Sequence, residues 1–163
     1  MTLHAGHVYH QGSVSIGPPN PEEVRSFPKS ADVVDEVKHW LSSAMEHDAV
    51  YYFSIWRAEE LVGQIFLHDI NWQVGEALVG YHLFDPGYRG LGIGTQALTL
   101  LKTFVAENTG LAKLVIITSA DNLASQRIAQ KCNFTYVGVP REDSHGLVYQ
   151  WANPSHASIT GPA

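Results

Sequence analysis

Between positions 95 and 108 the apolar residues Ala97, Leu98, Leu101, Phe104 and Val105 recur at helical spacing, and the chain on either side reads differently. Upstream, residues 50–57 and 60–69 are rich in aromatic and β-branched side chains and are separated by a short polar turn, which predicts a hairpin. Residues 75–84 predict a third strand, ended sharply by Asp85-Pro86-Gly87. Downstream, Thr109-Gly110 closes the helix, and the apolar run KLVIIT at 113–118 predicts a strand buried on both faces. Asp121 or Asn122 starts a further helix through Lys131, and 134–139 and 147–151 predict two last strands. Near the start, Val8, His10, Val14 and Ile16 alternate loosely and predict one weak strand within 4–16, which Gly17-Pro18-Pro19-Asn20-Pro21 ends. Ser30 caps a predicted helix to about His47, with Val33, Val34, Val37, Trp40, Leu41, Ala44 and Met45 on its apolar stripe. The order of strands, helix, strand, helix, strand, strand predicts an α/β (α+β) fold with one mixed sheet and helices packed on it.

Composition narrows the partners. The 163 residues fit a single domain, and 45% hydrophobic with 16% charged residues excludes a disordered chain. Ten Lys plus Arg against 16 Asp plus Glu leaves a formal charge of -6, the wrong balance for holding nucleic acid by its phosphates. Cys132 is the single cysteine, so an intrachain disulfide and a Cys-rich zinc site are excluded. No apolar run approaches the roughly 20 residues that span a bilayer, and the first residues do not read as a secretion signal. A soluble cytoplasmic protein is expected.

The chemistry concentrates in Tyr88-Arg89-Gly90-Leu91-Gly92-Ile93-Gly94-Thr95. Three alternate glycines lie between a strand and an amphipathic helix, where first-turn amides lack partners and the helix dipole is positive. That arrangement binds anions, phosphate above all, and Arg89 adds a permanent charge beside it. A nucleotide P-loop would need Lys after the last glycine, where Gly94 is followed by Thr95-Gln96. A dinucleotide fingerprint would need G-x-G-x-x-G, whereas these glycines are spaced G-x-G-x-G.

Arg89-x-x-Gly92-x-Gly94 resembles the R/Q-x-x-G-x-G/A loop of the GNAT superfamily of N-acetyltransferases, and residues 80–86 (GYHLFDP) look like that family's fourth strand. Residues 122–134 (NLASQRIAQKCNF) are similar to the N-x-x-S-x-x-x-x-x-K-x-G-F helix of its RimJ/RimL branch. The resemblance covers about 20–151 of one domain spanning 1–163, with 1–19 atypical, as if the family's first strand and helix were curtailed, and 153–163 a tail. It implies a mostly antiparallel, splayed sheet of about six or seven strands flanked by helices, with acetyl-CoA in the splay. It implies coenzyme contacts at Leu83, Phe84, Arg89, Gly90, Leu91, Gly92, Ile93, Gly94, Thr95, Asn122, Ser125 and Lys131. It implies acetyl transfer to a primary amine, on a small molecule or a protein N-terminus, by direct attack in a ternary complex. A catalytically inactive acyl-CoA-binding module and an acyltransferase for a longer donor such as succinyl-CoA stay open beside it, as does a homodimer. The acidic surplus would favour a cationic amine acceptor.

Such a reaction needs a base for the amine, donors for the developing oxyanion and a proton for the departing thiolate. Many members of the family carry a Tyr acid on the second helix, where this chain has Ala129. The resemblance to the RimJ/RimL branch, which often lacks that Tyr and is thought to use the Ser of its N-x-x-S helix, implies Ser125 as the candidate acid, although Ser is also favoured in a first helical turn for its own sake. His82, of a side-chain type suited to base work near neutral pH, and Glu76, at the strand start, are the candidate bases. The plainer readings, a hydrogen-bonded sheet residue at His82 and a solvated strand end at Glu76, are preferred to the catalytic ones, and water can relay the proton. Cys132 reads as packing rather than as a nucleophile. His4, His7 and His10 are spaced by three, but the glycines among them do not support a helix, so no metal site is expected. His39 and His47 read as surface, and His68-Asp69 as an approach to the acceptor.

Overall fold

The computed structural model describes residues 8–19, 51–139 and 146–155. In chain order the strands are β1 (Tyr9–Gln11), β2 (Val14–Gly17), β3 (Tyr51–Arg57), β4 (Glu60–Asn71), β5 (Glu76–Leu83), β6 (Lys113–Ser119), β7 (Thr135–Gly138) and β8 (Gly146–Ala152). Helix α1 (Ile93–Asn108) lies between β5 and β6, and α2 (Leu123–Lys131) follows β6. Among the described residues, all eight strands join one open sheet in the order β1-β2-β3-β4-β5-β6-β8-β7. Every pairing is antiparallel except β5 with β6, as the chirality and length of a helical crossover require.

The strand count exceeds the expected six or seven because the weak N-terminal strand is two. Gly12, at φ +60, turns the chain so that Tyr9 faces Ile16 and Gln11 faces Val14. The helix predicted from Ser30 to His47, together with His4, His7, His39 and Trp40, lies outside the described residues.

Alternation along the strands separates two faces. Tyr51, Phe53, Ile55, Ile65, Leu67, Ala77 and Val79 share a buried cluster with Leu98, Leu101, Phe104 and Val105 of α1 and Ala129 of α2. Phe104 is its centre, with Phe53 edge-on at 4.8 Å and Tyr51 at 5.5 Å. Tyr52 and Phe66 stack at 6.0 Å on the other face, and both are buried. Gly80, the cross-strand partner of Phe66, makes room for that ring, since a Cβ there would lie 2.4 Å from Phe66 Cζ.

The parallel pairing of β5 and β6 is short. It holds at Glu76↔Lys113, Ala77↔Leu114 and Leu78↔Val115 and then stops, although both strands continue. The closed end is pinned. Gly75 O accepts from Ala112 N at 2.7 Å and Lys113 N at 2.9 Å, and Asn153 Nδ2 donates to Leu111 O at 2.7 Å. A Lys113–Glu76 ion pair at 3.1 Å sits at the same end. Beyond Leu78 the strands part and leave a V. The parting corrects the expectation for residues 113–118. Val115 is buried, but Ile117, two residues on and past the last paired position, is 49% exposed.

The close approach of Phe66 to Gly80 gives a direct check. Gly80→Val should destabilise the protein by roughly 1–3 kcal/mol through overpacking, read as a lower urea midpoint at unchanged m-value, and a companion Phe66→Ala should recover part of that loss.

Candidate functional site

The open end of the V meets the glycine loop. Asp85 caps the single turn Pro86–Tyr88, its carboxylate accepting from Gly87 N at 2.8 Å. Tyr88 Oη donates to Glu60 Oε1 at 2.5 Å and so ties this turn to the start of β4. The chain then passes through Gly90 and Gly92 at φ +77 and +78 into α1. Gly92 is the N-cap residue in left-handed conformation, and no side chain caps the amides of the first turn. A Cβ on Gly90 or Gly92 would meet nothing within 4 Å. These two glycines therefore serve backbone conformation, and the space before them is open.

Gly94 answers to a different demand. A Cβ there would lie 2.8 Å from Ile128 Cδ1, so its bareness lets α1 and α2 approach. Between the two helices and the end of β5 lies a cavity of about 270 Å³ lined by Leu83, Tyr88, the glycine loop, Thr95, Ala124, Arg127, Ile128 and Lys131. Three of its lining side chains, Arg89, Arg127 and Lys131, are exposed cations. Uncapped amides, two open glycines and three cations make an anion-binding mouth.

Of the residues singled out in sequence, Leu83, Arg89, Gly90, Gly92, Ile93, Gly94, Thr95 and Lys131 meet at this cavity. Leu91 is exposed at the loop tip, and Phe84 is buried just behind it, its N–H donating to Val62 O at 3.0 Å. Asn122 is the N-cap of α2, its Oδ1 accepting from Ser125 N at 3.0 Å. Ser125 is buried beside the cavity-lining Ala124. Its hydroxyl oxygen accepts a 2.8 Å hydrogen bond from Tyr81 Oη. That bond links β5 to α2 across the V. Burial pushes the Tyr81 phenol above its ordinary range, against a smaller opposing effect of the Ser125 bond. Tyr81 was not singled out from the sequence, where it reads as one more aromatic strand residue, and neither was Arg127.

The two candidate bases are separated. His82 is exposed on the open length of β5, its ring 5.8 Å from Phe84. Glu76 stands at the closed end, paired with Lys113, the whole length of β5 from the glycine loop. His68 and Asp69 pair with each other at 2.6 Å near the β4–β5 turn. Cys132 is buried, with its thiol 3.4 Å from Thr95 O and 3.7 Å from Thr99 Oγ1. Burial raises that thiol's pKa more than Thr99 and Lys102 lower it, which disfavours a reactive thiolate. Asn133 occupies the glycine position of the K-x-G-F pattern at φ +63, a conformation that Asn tolerates better than most residues. Among the described residues no cluster of three His, Cys, Asp or Glu is placed to hold a metal, and no helix is long and apolar enough to cross a membrane.

No curated protein sequence matches the chain significantly. Solved structures do match in fold. Ribosomal L7/L12 α-N-protein acetyltransferase RimL, in complex with coenzyme A, superposes with a TM-score of 0.76 at 19% identity, over 91% of this chain and 99% of that one. The ribosomal-protein-S5-alanine acetyltransferase of Vibrio fischeri gives 0.71 at 13% identity, over 91% and 97%. The microcin C7 self-immunity acetyltransferase MccE, in complex with acetyl-CoA and AMP, gives 0.73 at 16% identity, over 87% and 93%. The family model of the acetyltransferase (GNAT) domain matches residues 16–135, which run from within β2 through β6 and include the glycine loop, α1 and α2, and the chain belongs to that family.

Proposed function

We propose that this protein is an acetyl-CoA-dependent N-acetyltransferase acting on a primary amine, with coenzyme A held at the mouth of the V. The observation that carries this reading is the coincidence of the anion-binding loop with the parting of β5 and β6. The loop supplies amides and Arg89, and α2 supplies Arg127 and Lys131, to diphosphate and phosphate groups. The parted strands leave the edge of β5 without strand partners beyond Leu78, so its backbone groups are available to an extended amide-containing chain. The complexes of RimL and MccE with coenzyme A and acetyl-CoA support the same ligand here.

Acetyl-CoA supplies an acyl thioester, and the chain's own groups divide the remaining work. Backbone N–H groups of the open length of β5 offer donors to a developing oxyanion. Ser125 is the group that gives a proton to the leaving thiolate. With Tyr81 Oη donating to Ser125 Oγ, the Ser125 hydroxyl hydrogen is directed away from Tyr81 and is free for another acceptor. Tyr81 positions that hydroxyl and, with its raised pKa, stays protonated while doing so. His82 or water reached from its side takes the proton of the amine.

Binding and chemistry are tested separately. Arg89→Ala and Gly92→Val should each weaken coenzyme A binding by roughly tenfold or more, through loss of a charge-assisted bond and through strain at a left-handed position respectively. Isothermal titration reads this, and unchanged affinity in both variants removes the loop from the site. Ser125→Ala should lower kcat by about 10²-fold with coenzyme affinity retained. Tyr81→Phe should lower kcat by less, and steady-state thiol release across an amine panel measures both. Full kcat in Ser125→Ala would sink the acid assignment. For His82→Ala, an unchanged rate and an unchanged acidic limb of the pH–rate profile would remove the imidazole from proton transfer.

A further inference from the structure

Gln64 is 1% exposed, and neither Oε1 nor Nε2 of its amide has a hydrogen-bond partner. A buried amide with both ends unmet destabilises a fold, whereas Leu or Met at the same place would not. Its setting is specific. In the register of the sheet Ser54 of β3 faces Gln64 of β4, and Gln64 faces His82 of β5. The three side chains therefore form a polar row across three strands on one face. Ser54 is buried at one end, and His82 is exposed at the other. His82 lies on the length of β5 that β6 has left, and the next residue, Leu83, turns to the other face and lines the cavity. The row thus reaches the parting of the strands from the face opposite the anion-binding mouth. The stacked rings of Tyr52 and Phe66 bound it on one side, with the Phe66 ring over Gly80.

We propose that Gln64 is an acceptor-binding and specificity-determining residue. Its amide selects an amine that carries a hydrogen-bond-accepting oxygen within two or three bonds of the nitrogen. The inference rests on the acetyltransferase reading above. Oε1 accepts from the N–H of the amine, and Nε2 donates to the neighbouring carbonyl or hydroxyl oxygen. An amino amide or an amino alcohol meets both ends. A plain alkylamine meets one and leaves the other buried and unpaired, which is the situation in which binding sites discriminate most strongly. Entry is from the His82 end, and the nitrogen then lies between Gln64 and the imidazole, next to the parting.

The test uses the full chain, acetyl-CoA, and two acceptors of similar size, glycinamide and n-propylamine, compared at equal free-base concentration. The wild type should favour glycinamide in kcat/KM by roughly tenfold or more. Gln64→Leu should abolish that preference through a raised KM for glycinamide, with coenzyme A affinity unchanged. Gln64→Glu, which keeps the accepting oxygen and loses the donor, should also lose the preference and serves if the leucine variant does not fold. Equal use of both amines by the wild type overturns the proposal. So does a Gln64→Leu protein that gains thermal stability and keeps wild-type KM values, since the amide is then only an unmet group inside the fold. Should the wild type bind acetyl-CoA and acetylate neither amine, the transferase reading is left to the amine panel above, and Gln64 is judged by binding. Titration of glycinamide should then shift the Gln64 side-chain NH₂ resonances in a ¹⁵N spectrum while n-propylamine does not, and no shift with glycinamide overturns the assignment.

Discussion

Parallel pairing between β5 and β6 ends at Leu78 and Val115, and the rest of the site is arranged around that ending. A parallel pair joined by a helical crossover would ordinarily run the length of both strands. Here the closed end is fixed by the Gly75 carbonyl, by Asn153 and by the Glu76–Lys113 pair, so the divergence opens in one direction. It opens toward the glycine loop because that loop begins where β5 ends. The mouth, the cavity between α1 and α2 and the unpaired edge of β5 are consequences of one interrupted ladder. The Tyr81–Ser125 bond spans the gap that ladder leaves.

Charge shows the same economy of placement. A net charge of -6 opposes an anionic ligand at long range, yet the groups nearest the mouth are Arg89, Arg127, Lys131 and the first-turn amides of α1. Exposed charges beyond about 10 Å are largely screened at physiological ionic strength, whereas groups lining a cavity act at short range. The local arrangement therefore decides the sign of the ligand. The two faces of the sheet then differ: residues turned toward α1, such as Leu83, line the cavity, and those turned away, such as His82 and Gln64, stand on the other.

The hairpin of β3 and β4, the strand–helix–strand unit and the glycine loop were legible in the sequence because each is written in local terms: alternation, helical spacing, and glycines at positions that need left-handed backbone. Gly92 is the clearest case, since its φ of +78 and its open surroundings match the reason for expecting a glycine there. Gly94 looked like part of the same device and instead makes room for Ile128. What was not legible depends on register between distant segments. Nothing local marks where β5 and β6 part, so Ile117 read as buried. Tyr81 and Ser125 are 44 residues apart, and only the fold brings their oxygens to 2.8 Å. Gln64 sits in an apolar strand as an unremarkable exception until its amide is seen to be alone.

The hydrogen-bond polarity at Ser125 narrows the proposed chemistry further. Its backbone N–H is occupied by the Asn122 side chain and its hydroxyl oxygen by the Tyr81 proton, so the Ser125 O–H is the group there with freedom to donate. A serine whose oxygen is already accepting is a better donor, because the incoming bond withdraws density and makes the outgoing proton more acidic. The same bond makes it a poorer base and a poorer nucleophile. Burial keeps Tyr81 protonated, so the donor that sets this polarity persists into alkaline conditions. On the proposed reading, the α2 side of the V gives a proton and does not take one. On that reading, the proton of the amine goes instead to the exposed imidazole of His82 or to water beside it.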